Sequence, residues 1–299
     1  MKQQTGYFVM NAAGTCKNLE DVINLCKVDD LSAILLGSVT MLKRAGNSGD
    51  VYNSTSRLGT LNSLGMNNAG FDHYASILPA MVNLAHTNEK KFGISVAAID
   101  GIEEYIQMAE KSIRLGVDFI ELNGGCPNVW DSGKQHRILT FDPISCQQLF
   151  SGMQKCMPND ANVYFKVSPI SDPAYIQDLA LVINEYPVIT GITATNTFPN
   201  GHGRDSTGRK LISVGKGLAG VSGLSLKYIS KGQVLQWHDY LLPEKEIIAA
   251  GGIDCGQDIL DYGANGAVKF QIGTALFDKG LSIFGTVLAE AEQLRESYA

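Results

Sequence analysis

The feature that most constrains this chain is an eightfold alternation of short apolar runs with amphipathic stretches. The runs are rich in β-branched residues and almost continuously apolar, as parallel strands buried on both faces require. Strand–helix alternation of this kind needs right-handed crossovers and produces a parallel sheet. The predicted strands are Phe8–Asn11, Ala33–Leu36, Gly93–Ala97, Phe119–Leu122, Val163–Val167, Ile189–Ala194, Glu246–Ala250 and Ala267–Ile272. The predicted helices lie near Asn18–Cys26, Phe71–Leu84, Ile102–Leu115, Ile144–Cys156, Ala174–Asn184, Leu224–Leu241, Gln257–Tyr262 and Ser282–Ser297.

Eight such units in 299 residues favour one closed (β/α)8 barrel, the α/β fold known as the TIM barrel, which needs about 250 residues. The alternative is an open doubly wound sheet, which would carry a glycine-rich phosphate turn after the first strand. The turn there reads NAAGTCKN, with one glycine and no G-x-G-x-x-G motif. We therefore predict a single barrel domain over residues 1–299, with its active site at the C-terminal ends of the strands.

Composition excludes several classes of protein. Hydrophobic residues make up 44% of the chain, which is enough for a large core and excludes a disordered protein. The formal net charge of -6 argues against a general binder of nucleic acid or anionic membranes, since such proteins need a basic face. No apolar run approaches the ~20 residues of a membrane span, and the first residues contain no secretory apolar segment. We expect a cytoplasmic protein with no membrane or nucleic-acid partner.

The cysteines and histidines form no pattern typical of metal sites. The six cysteines include no C-x-x-C pair, and the five histidines include no H-x-H or H-x-x-x-H pair. We expect neither a metal site nor a disulfide framework. Cys126 differs from the other cysteines because it follows a predicted strand directly, between two glycines and a proline, in FIELNGGCPNVWDSG. A thiol in such a loop can act as a proton acceptor or nucleophile, and the alternative is an inert buried cysteine.

Amide side chains and one lysine also fall at strand ends or in loops. The amides are Asn62, Asn123, Asn128 and Asn196. Each alone is more often a turn or cap residue, but a ring of amides suits a ligand with alternating C=O and N–H groups, such as a pyrimidine. Lys166 ends a predicted strand, and inside a barrel it needs an anionic partner. Lys166 either stabilises negative charge developing on a cofactor or forms a structural ion pair.

Glycines follow the seventh and eighth predicted strands, in AAGGID and QIGTAL. Barrels commonly bind a phosphate at this place through backbone N–H groups and a helix N-terminus. Glycine permits the close approach of a ligand to the backbone, and VSG at 221–223 can add further donors. The pattern indicates a phosphorylated ligand or cofactor held by Gly251, Gly252, Gly273 and Thr274.

At ELNGGCPNV the sequence resembles the dihydroorotate dehydrogenase family, in particular its soluble class 1A branch. The resemblance covers essentially the whole chain, because further motifs follow in the family's order and spacing: NAAGT, TLNSLGMNNAGFDHY, FKVSP, TATNT, GGIDCGQD and QIGTAL. It implies an FMN-bound barrel that oxidises (S)-dihydroorotate to orotate in pyrimidine biosynthesis, as an oxidoreductase acting on a CH–CH bond. It also implies fumarate as the electron acceptor and a homodimeric assembly.

The resemblance implies a role for each matching residue. Cys126 would be the base that takes the C5 proton, while the C6 hydride passes to flavin N5. Lys166 would lie beside flavin N1 and O2. The substrate would contact Asn62, Asn123, Asn128, Asn196 and Thr197. The flavin would contact Ala12, Ala13, Gly14, Ser38 and Asn123, and its ribityl phosphate would contact Ser222, Gly223, Gly251, Gly252, Gly273 and Thr274.

Two departures separate this chain from the family pattern. The family has a lysine directly before the serine that follows the second strand, whereas this chain has Gly37, in LLGSVT. This loss removes a cation from a site that must bind an anion. If the site is a degraded dihydroorotate site, we expect a Gly37→Lys variant to bind orotate more tightly or react faster, and no gain would indicate a different native ligand. Gly124 and Gly125 stand where relatives carry larger side chains, and we expect a looser loop before Cys126.

Three hypotheses follow. The first is an active class 1A dihydroorotate dehydrogenase. The second is a paralogous FMN oxidoreductase that acts on a different small ligand, and Gly37 favours it. The third is a flavin- or ligand-binding protein with little turnover, and the retention of Cys126 and Lys166 argues against it.

Overall fold

The computed structural model describes residues 6–55, 59–131 and 133–298. In this part of the chain, eight parallel strands close into a barrel in which each strand pairs with its neighbours in sequence. The first strand closes the circle by pairing with the last, with Phe8 opposite Lys269. The barrel strands are Phe8–Asn11, Ala33–Val39, Lys91–Val96, Phe119–Asn123, Val163–Lys166, Ile189–Ala194, Glu246–Ala250 and Lys269–Ile272. The predicted α/β barrel is confirmed. The predicted domain of 1–299 also includes residues 1–5, 56–58, 132 and 299, which lie outside the described residues.

In the described residues a helix separates each barrel strand from the next and two helices follow the last strand. The sequence explains where several of these helices begin. Asn18 caps the first by accepting a hydrogen bond from the N–H of Asp21 at 2.9 Å. Asp142 and Asp172 cap two others, each directly before a proline, whose missing N–H is not needed in the first turn. The helices are Leu19–Cys26, Phe71–Thr87, Ile102–Arg114, Pro143–Cys156, Pro173–Asn184, Lys227–Tyr240, Gly256–Ala264, Thr274–Lys279 and Ile283–Tyr298. Among the described residues, no helix is long and apolar enough to cross a membrane.

The barrel interior changes from apolar to polar along its axis. At the N-terminal end, Phe119 packs against Tyr164 with ring centroids 6.2 Å apart, and Ile248 belongs to the same buried cluster. Side chains alternate along a strand, so Glu121 and then Asn123 follow Phe119 into the interior. The polar end of the interior is therefore the C-terminal end, where barrels of this kind bind their ligands.

Segments that show no strand periodicity in the sequence form a second, antiparallel sheet at the barrel mouth. In spatial order its strands are Phe198–Gly201, Ala219–Ser222, Gly59–Asn62 and Tyr52–Thr55. Asn62 lies opposite Gly220 on one side and Tyr52 on the other. A short hairpin follows the fourth barrel strand and pairs Trp130–Asp131 with Lys134–Gln135. These strands were not predicted, because their residues do not alternate between apolar and polar.

The packing of the sixth barrel strand against the seventh depends on Gly191. A Cβ built on this residue would lie 1.9 Å from the carbonyl oxygen of Glu246, its partner in the ladder. We expect Gly191→Ala to lower the free energy of unfolding by about 1 to 3 kcal/mol, because the backbone must move to relieve the overlap. Urea-induced unfolding followed by circular dichroism measures this change.

Gly232→Ala is the matched control for Gly191→Ala. Gly232 lies inside the helix Lys227–Tyr240, and a Cβ there would have no heavy atom within 4 Å. Alanine should therefore raise the free energy of unfolding by about 0.5 to 1 kcal/mol through helix propensity. Equal effects of the two substitutions would contradict the packing assigned to Gly191.

Candidate active site

All of the predicted site residues line one cavity at the C-terminal end of the barrel. Those on the barrel loops and strand ends are Ala12, Ala13, Gly14, Ser38, Asn123, Cys126, Asn128, Lys166, Asn196, Thr197, Gly251, Gly252, Gly273 and Thr274. The second sheet and the turn after it contribute Asn62, Ser222 and Gly223. The barrel residues meet because they follow parallel strands, whose C-terminal ends lie at one face of the barrel, and the second sheet lies at that same face.

A chain of amides and hydroxyls crosses the cavity from the second barrel strand to the sixth. The side-chain N–H of Asn123 donates to Ser38 Oγ at 2.7 Å. The side-chain oxygen of Asn123, Oδ1, accepts from the side-chain N–H of Asn196 at 2.9 Å. The side-chain oxygen of Asn196, Oδ1, accepts from the backbone N–H of Thr197 at 2.7 Å. Each amide is therefore fixed in orientation by a neighbour, which determines where its remaining donor or acceptor points.

A second pair of amides joins the barrel to the antiparallel sheet. Asn128 donates to the side-chain oxygen of Asn62 at 3.0 Å and accepts from the N–H of Gly220 at 3.0 Å. The hydroxyl oxygen of Thr197 is buried beside Gly220 and has no hydrogen-bond partner among the described residues. A buried polar atom without a partner costs free energy, so this hydroxyl is available for a ligand in the cavity.

Lys166 reaches the cavity floor as part of a buried polar layer. Its ammonium donates to Gln271 at 3.0 Å and lies 3.5 Å from a carboxylate oxygen of Glu121. Glu121 also accepts from Gln271 at 2.7 Å and from Ser95 at 2.9 Å. Only 5% of Lys166 and 1% of Glu121 are exposed. The structural ion pair expected of Lys166 is therefore confirmed. Lys166 also lines the cavity, and its role toward a cofactor stays a prediction.

Cys126 is a protonated thiol at rest. Its side chain is partly exposed in the cavity, yet burial by surrounding atoms raises the pKa of the thiol to about 11. The N–H of Asn128 and the positive charges of Arg44 and Lys166 oppose this rise in pKa. The thiol can therefore accept a proton only after it has lost its own.

The glycines before Cys126 make the loop tight, so the expected looser loop is wrong. A Cβ on Gly124 would lie 2.3 Å from the ring of Phe165, and a Cβ on Gly125 would lie 2.6 Å from the N–H nitrogen of Ser168. The backbone carbonyl of Gly124 also accepts from both the N–H and the hydroxyl of Thr140, each at 2.9 Å. Small residues here let the loop pack directly on the next strand.

Gly37 cannot be exchanged for lysine on this backbone. Its φ is +115°, and a Cβ would lie 2.4 Å from the carbonyl oxygen of Ser95 and 2.9 Å from the backbone nitrogen of Val39. Any side chain here needs a shift of backbone atoms, which a flexible side chain cannot relieve. The expectation that Gly37→Lys would restore a cation to the site is therefore wrong.

The glycine-rich wall of the cavity contains the beginnings of two helical segments. A 3-10 turn starts at Gly223 and leads into the helix Lys227–Tyr240, and the helix Thr274–Lys279 starts beside it. The first N–H groups of such segments have no acceptor within the helix. The hydroxyl of Thr274 donates to Ser222 Oγ at 3.1 Å, so hydroxyls and N–H groups converge on this wall. This donor set is suited to a phosphate.

The cavity wall also contains residues that the sequence analysis did not identify. They are Thr15, Lys17, Tyr52, Leu64, Gly65, Met66, Asn67, Thr195, Leu226, Ala250, Gln271 and Phe277. Thr15 and Ala250 each adjoin a predicted site residue, so their position at or after the end of a strand could have predicted that they line the cavity. Lys17 and Gln271 had no such signal, because one lies in a polar turn and the other inside an apolar strand.

Comparison with known proteins identifies relatives of the whole chain. A sequence model of the dihydroorotate dehydrogenase family matches residues 6–294. The chain is 30% identical over 290 residues to dihydroorotate dehydrogenase A (fumarate) of Lactococcus lactis, covering 96% of this chain and 90% of that protein. It is 29% identical over 293 residues to dihydroorotate dehydrogenase (fumarate) of Saccharomyces cerevisiae, covering 96% and 89%. Its fold is similar to that of DHODH from Eimeria tenella solved with ferulenol, with a TM-score of 0.80 and 20% identity over 97% of this chain and 81% of that one.

The buried ion pair yields a stability prediction. Lys166→Met leaves the Glu121 carboxylate buried without its cation, and we expect a loss of about 3 to 5 kcal/mol in the free energy of unfolding. The double variant Lys166→Met with Glu121→Gln removes both charges and should recover most of this loss. Urea-induced unfolding of the three proteins measures it, and a double variant that is less stable than Lys166→Met would contradict the pairing.

Proposed function

Because this chain belongs to the dihydroorotate dehydrogenase family, we propose that its barrel cavity oxidises (S)-dihydroorotate to orotate in pyrimidine biosynthesis. The chain is thus an oxidoreductase that acts on a CH–CH bond. The observation that carries the proposal is the convergence in one cavity of a thiol, a ring of oriented amides and a buried lysine. The proposed site occupies the C-terminal end of a single barrel domain.

Enzymes of this family use a flavin, and FMN is the cofactor proposed for this chain. The small residues Ala12, Ala13 and Gly14 leave room along one wall, and a Cβ on Gly14 would meet no atom within 4 Å. Lys166 would lie against the flavin ring, where its positive charge favours electron-rich forms of the ring. The N–H groups and hydroxyls at Gly223, Thr274 and their neighbours would hold the phosphate.

The amides are proposed to recognise the pyrimidine ring. Dihydroorotate presents alternating C=O and N–H groups, and an amide side chain offers one acceptor and two donors in a fixed plane. Asn62 and Asn128 hold one another, as do Asn123 and Asn196, so each pair presents its free atoms without rotating. The buried Thr197 hydroxyl supplies a further donor. This arrangement fits a flat, polar heterocycle better than an apolar ligand.

Cys126 is the proposed base for the C5 proton of the substrate. It follows the fourth strand on a tight loop. Burial raises the pKa of its thiol, and the positive charges of Arg44 and Lys166 oppose that rise without cancelling it. When bound, FMN supplies the redox chemistry, which is acceptance of the hydride from C6 and its later delivery to the acceptor. The chain's own residues would hold the ring, place the Cys126 sulfur beside C5 and exclude water from the reacting atoms, and the thiol must lose its own proton before it takes the one from C5.

Fumarate is the proposed electron acceptor, since the curated relatives carry it in their names. A homodimer and a cytoplasmic location are proposed together with fumarate, on the resemblance to class 1A enzymes.

The second candidate function is that of a paralogous FMN oxidoreductase with a ligand that lacks a carboxylate. The observation that favours it is Gly37, because the structure has no space there for the family's lysine.

Anaerobic mixing with dihydroorotate tests the proposed function. The yellow protein should bleach in the visible flavin band as the hydride is transferred. A protein that stays yellow with dihydroorotate, yet bleaches with dithionite, would overturn the proposal in favour of the paralogue. Re-oxidation of the bleached protein by fumarate then tests the acceptor.

Removal of the thiol gives a direct test of the base. We expect Cys126→Ala to slow flavin reduction by dihydroorotate by about 10²- to 10⁴-fold while FMN stays bound, because the C5 proton then has no acceptor. Cys156→Ala is the matched control, since Cys156 is exposed and lies outside the cavity. Stopped-flow absorbance measures the rate. A Cys126→Ala protein as fast as the parent would contradict the assignment.

The raised pKa of Cys126 gives the reaction a pH dependence of definite sign. Below a pKa of about 11 the thiolate fraction grows with pH. Flavin reduction by saturating dihydroorotate should therefore accelerate by up to about tenfold per pH unit between about pH 6 and pH 9. A rate that falls as pH rises through this range would show that a protonated group, and not the thiolate, limits the reaction.

A further inference from the structure

The charges on the cavity wall are unbalanced. Among the described residues that line it, the charged side chains are Lys17 and Lys166, and there is no carboxylate. Lys166 is paired with Glu121 in the layer beneath the cavity. Lys17 makes no such ion pair in the described part of the chain. Its ammonium donates to the side-chain oxygen of Asn67, which is neutral.

The backbone around Lys17 is fixed at several points. The N–H of Lys17 donates to Asp21 Oδ2 at 2.7 Å, so the Asp21 carboxylate binds the backbone of Lys17. The carbonyl oxygen of Lys17 accepts from the Tyr74 hydroxyl at 2.7 Å. The side chain is half-buried, and burial lowers the pKa of Lys17, partly offset by the charge of Asp21. The ammonium is therefore a poorly hydrated cation held at a set place in the cavity wall.

Lys17 lies beside the position that the family's lysine would occupy. Its neighbour Cys16 forms an isolated antiparallel bridge with Gly37, whose N–H donates to the Cys16 carbonyl at 2.9 Å. A side chain at Gly37 is excluded by the carbonyl of Ser95. The adjacent segment can still supply a cation to the same part of the cavity, because the two backbones are bonded to one another.

We propose that Lys17 is the cation that recognises the carboxylate of dihydroorotate and orotate in this chain. The inference rests on the proposed function. An ammonium has three donors, and Asn67 takes one of them, so two remain for a carboxylate. Asn67 is then a positioning residue, which holds the ammonium on the side of the cavity formed by Leu64, Gly65 and Met66.

The test compares two ligands and three proteins. Orotate carries the carboxylate, and its methyl ester has the same ring without the charge. Each is titrated into the FMN-loaded parent, Lys17→Met and Lys43→Met, with the shift of the flavin absorbance as the readout. Lys17→Met should weaken orotate binding about 10- to 100-fold and leave the Kd of the ester unchanged, because a charge-assisted contact is lost. Lys43→Met, at an exposed residue outside the cavity, should bind both ligands like the parent.

The outcomes separate this inference from the proposed function. A parent that bleaches with dihydroorotate, together with a Lys17→Met protein that binds orotate as tightly as the parent, would overturn the role of Lys17 alone. Equal losses for orotate and the ester would also overturn it, since they would indicate a disturbed cavity instead of a lost charge contact. A parent that neither bleaches with dihydroorotate nor responds to orotate would overturn both proposals before any variant is examined.

Discussion

The buried layer around Glu121 is the interaction on which the site depends. Its carboxylate accepts hydrogen bonds from Ser95 and Gln271 and faces the ammonium of Lys166, so it joins the third, fifth and eighth barrel strands to the fourth. A buried carboxylate is tolerated only with such a full set of partners, and the same partners need it in turn. The layer therefore separates the apolar N-terminal part of the barrel interior from the polar cavity and fixes the height of the Lys166 ammonium in that cavity.

The polar side chains above this layer are held in place by hydrogen bonds that begin in it. Ser38 contacts the Ser95 hydroxyl at 2.9 Å and accepts from Asn123, which accepts from Asn196. Hydrogen bonds thus run from Glu121 to the amides across four strands without a break. Because hydrogen bonds hold the side chains of Asn123 and Asn196, these two amides present a single pattern of donors and acceptors to the cavity, as a site for one flat heterocycle requires. A change in the charged layer would therefore alter the orientation of the amides as well as stability.

The sequence predicted the barrel because buried parallel strands have a strong signature, and strand ends such as Ala194 and Ala250 were correct to the residue. The site residues were found because parallel strands converge and because the family's motifs are local. The second sheet was missed because its strands show no periodicity and because the pairing that joins its two halves, Gly59–Asn62 with Ala219–Ser222, is between distant segments. The tight fit of Gly124 and Gly125 was missed for a similar reason, because the Phe165 ring lies on the next barrel strand and the Ser168 backbone lies in the loop after that strand.

Gly37 and Lys17 show why a residue-by-residue comparison with the family underestimates the positive charge that the cavity offers to a ligand. In sequence, the loss of a lysine at Gly37 is a missing charge, and Lys17 is an ordinary polar residue in a turn. In the fold, the bridge between Cys16 and Gly37 brings Lys17 close to Gly37. The carbonyl of Ser95 excludes a side chain at Gly37, whereas the side chain of Lys17 lines the cavity. An anionic substrate needs a positive charge at one place in the cavity, and the segment at Lys17 can supply it there although the backbone at Gly37 cannot. The position of the charge in space, more than its position in the chain, is thus the property that selects the substrate.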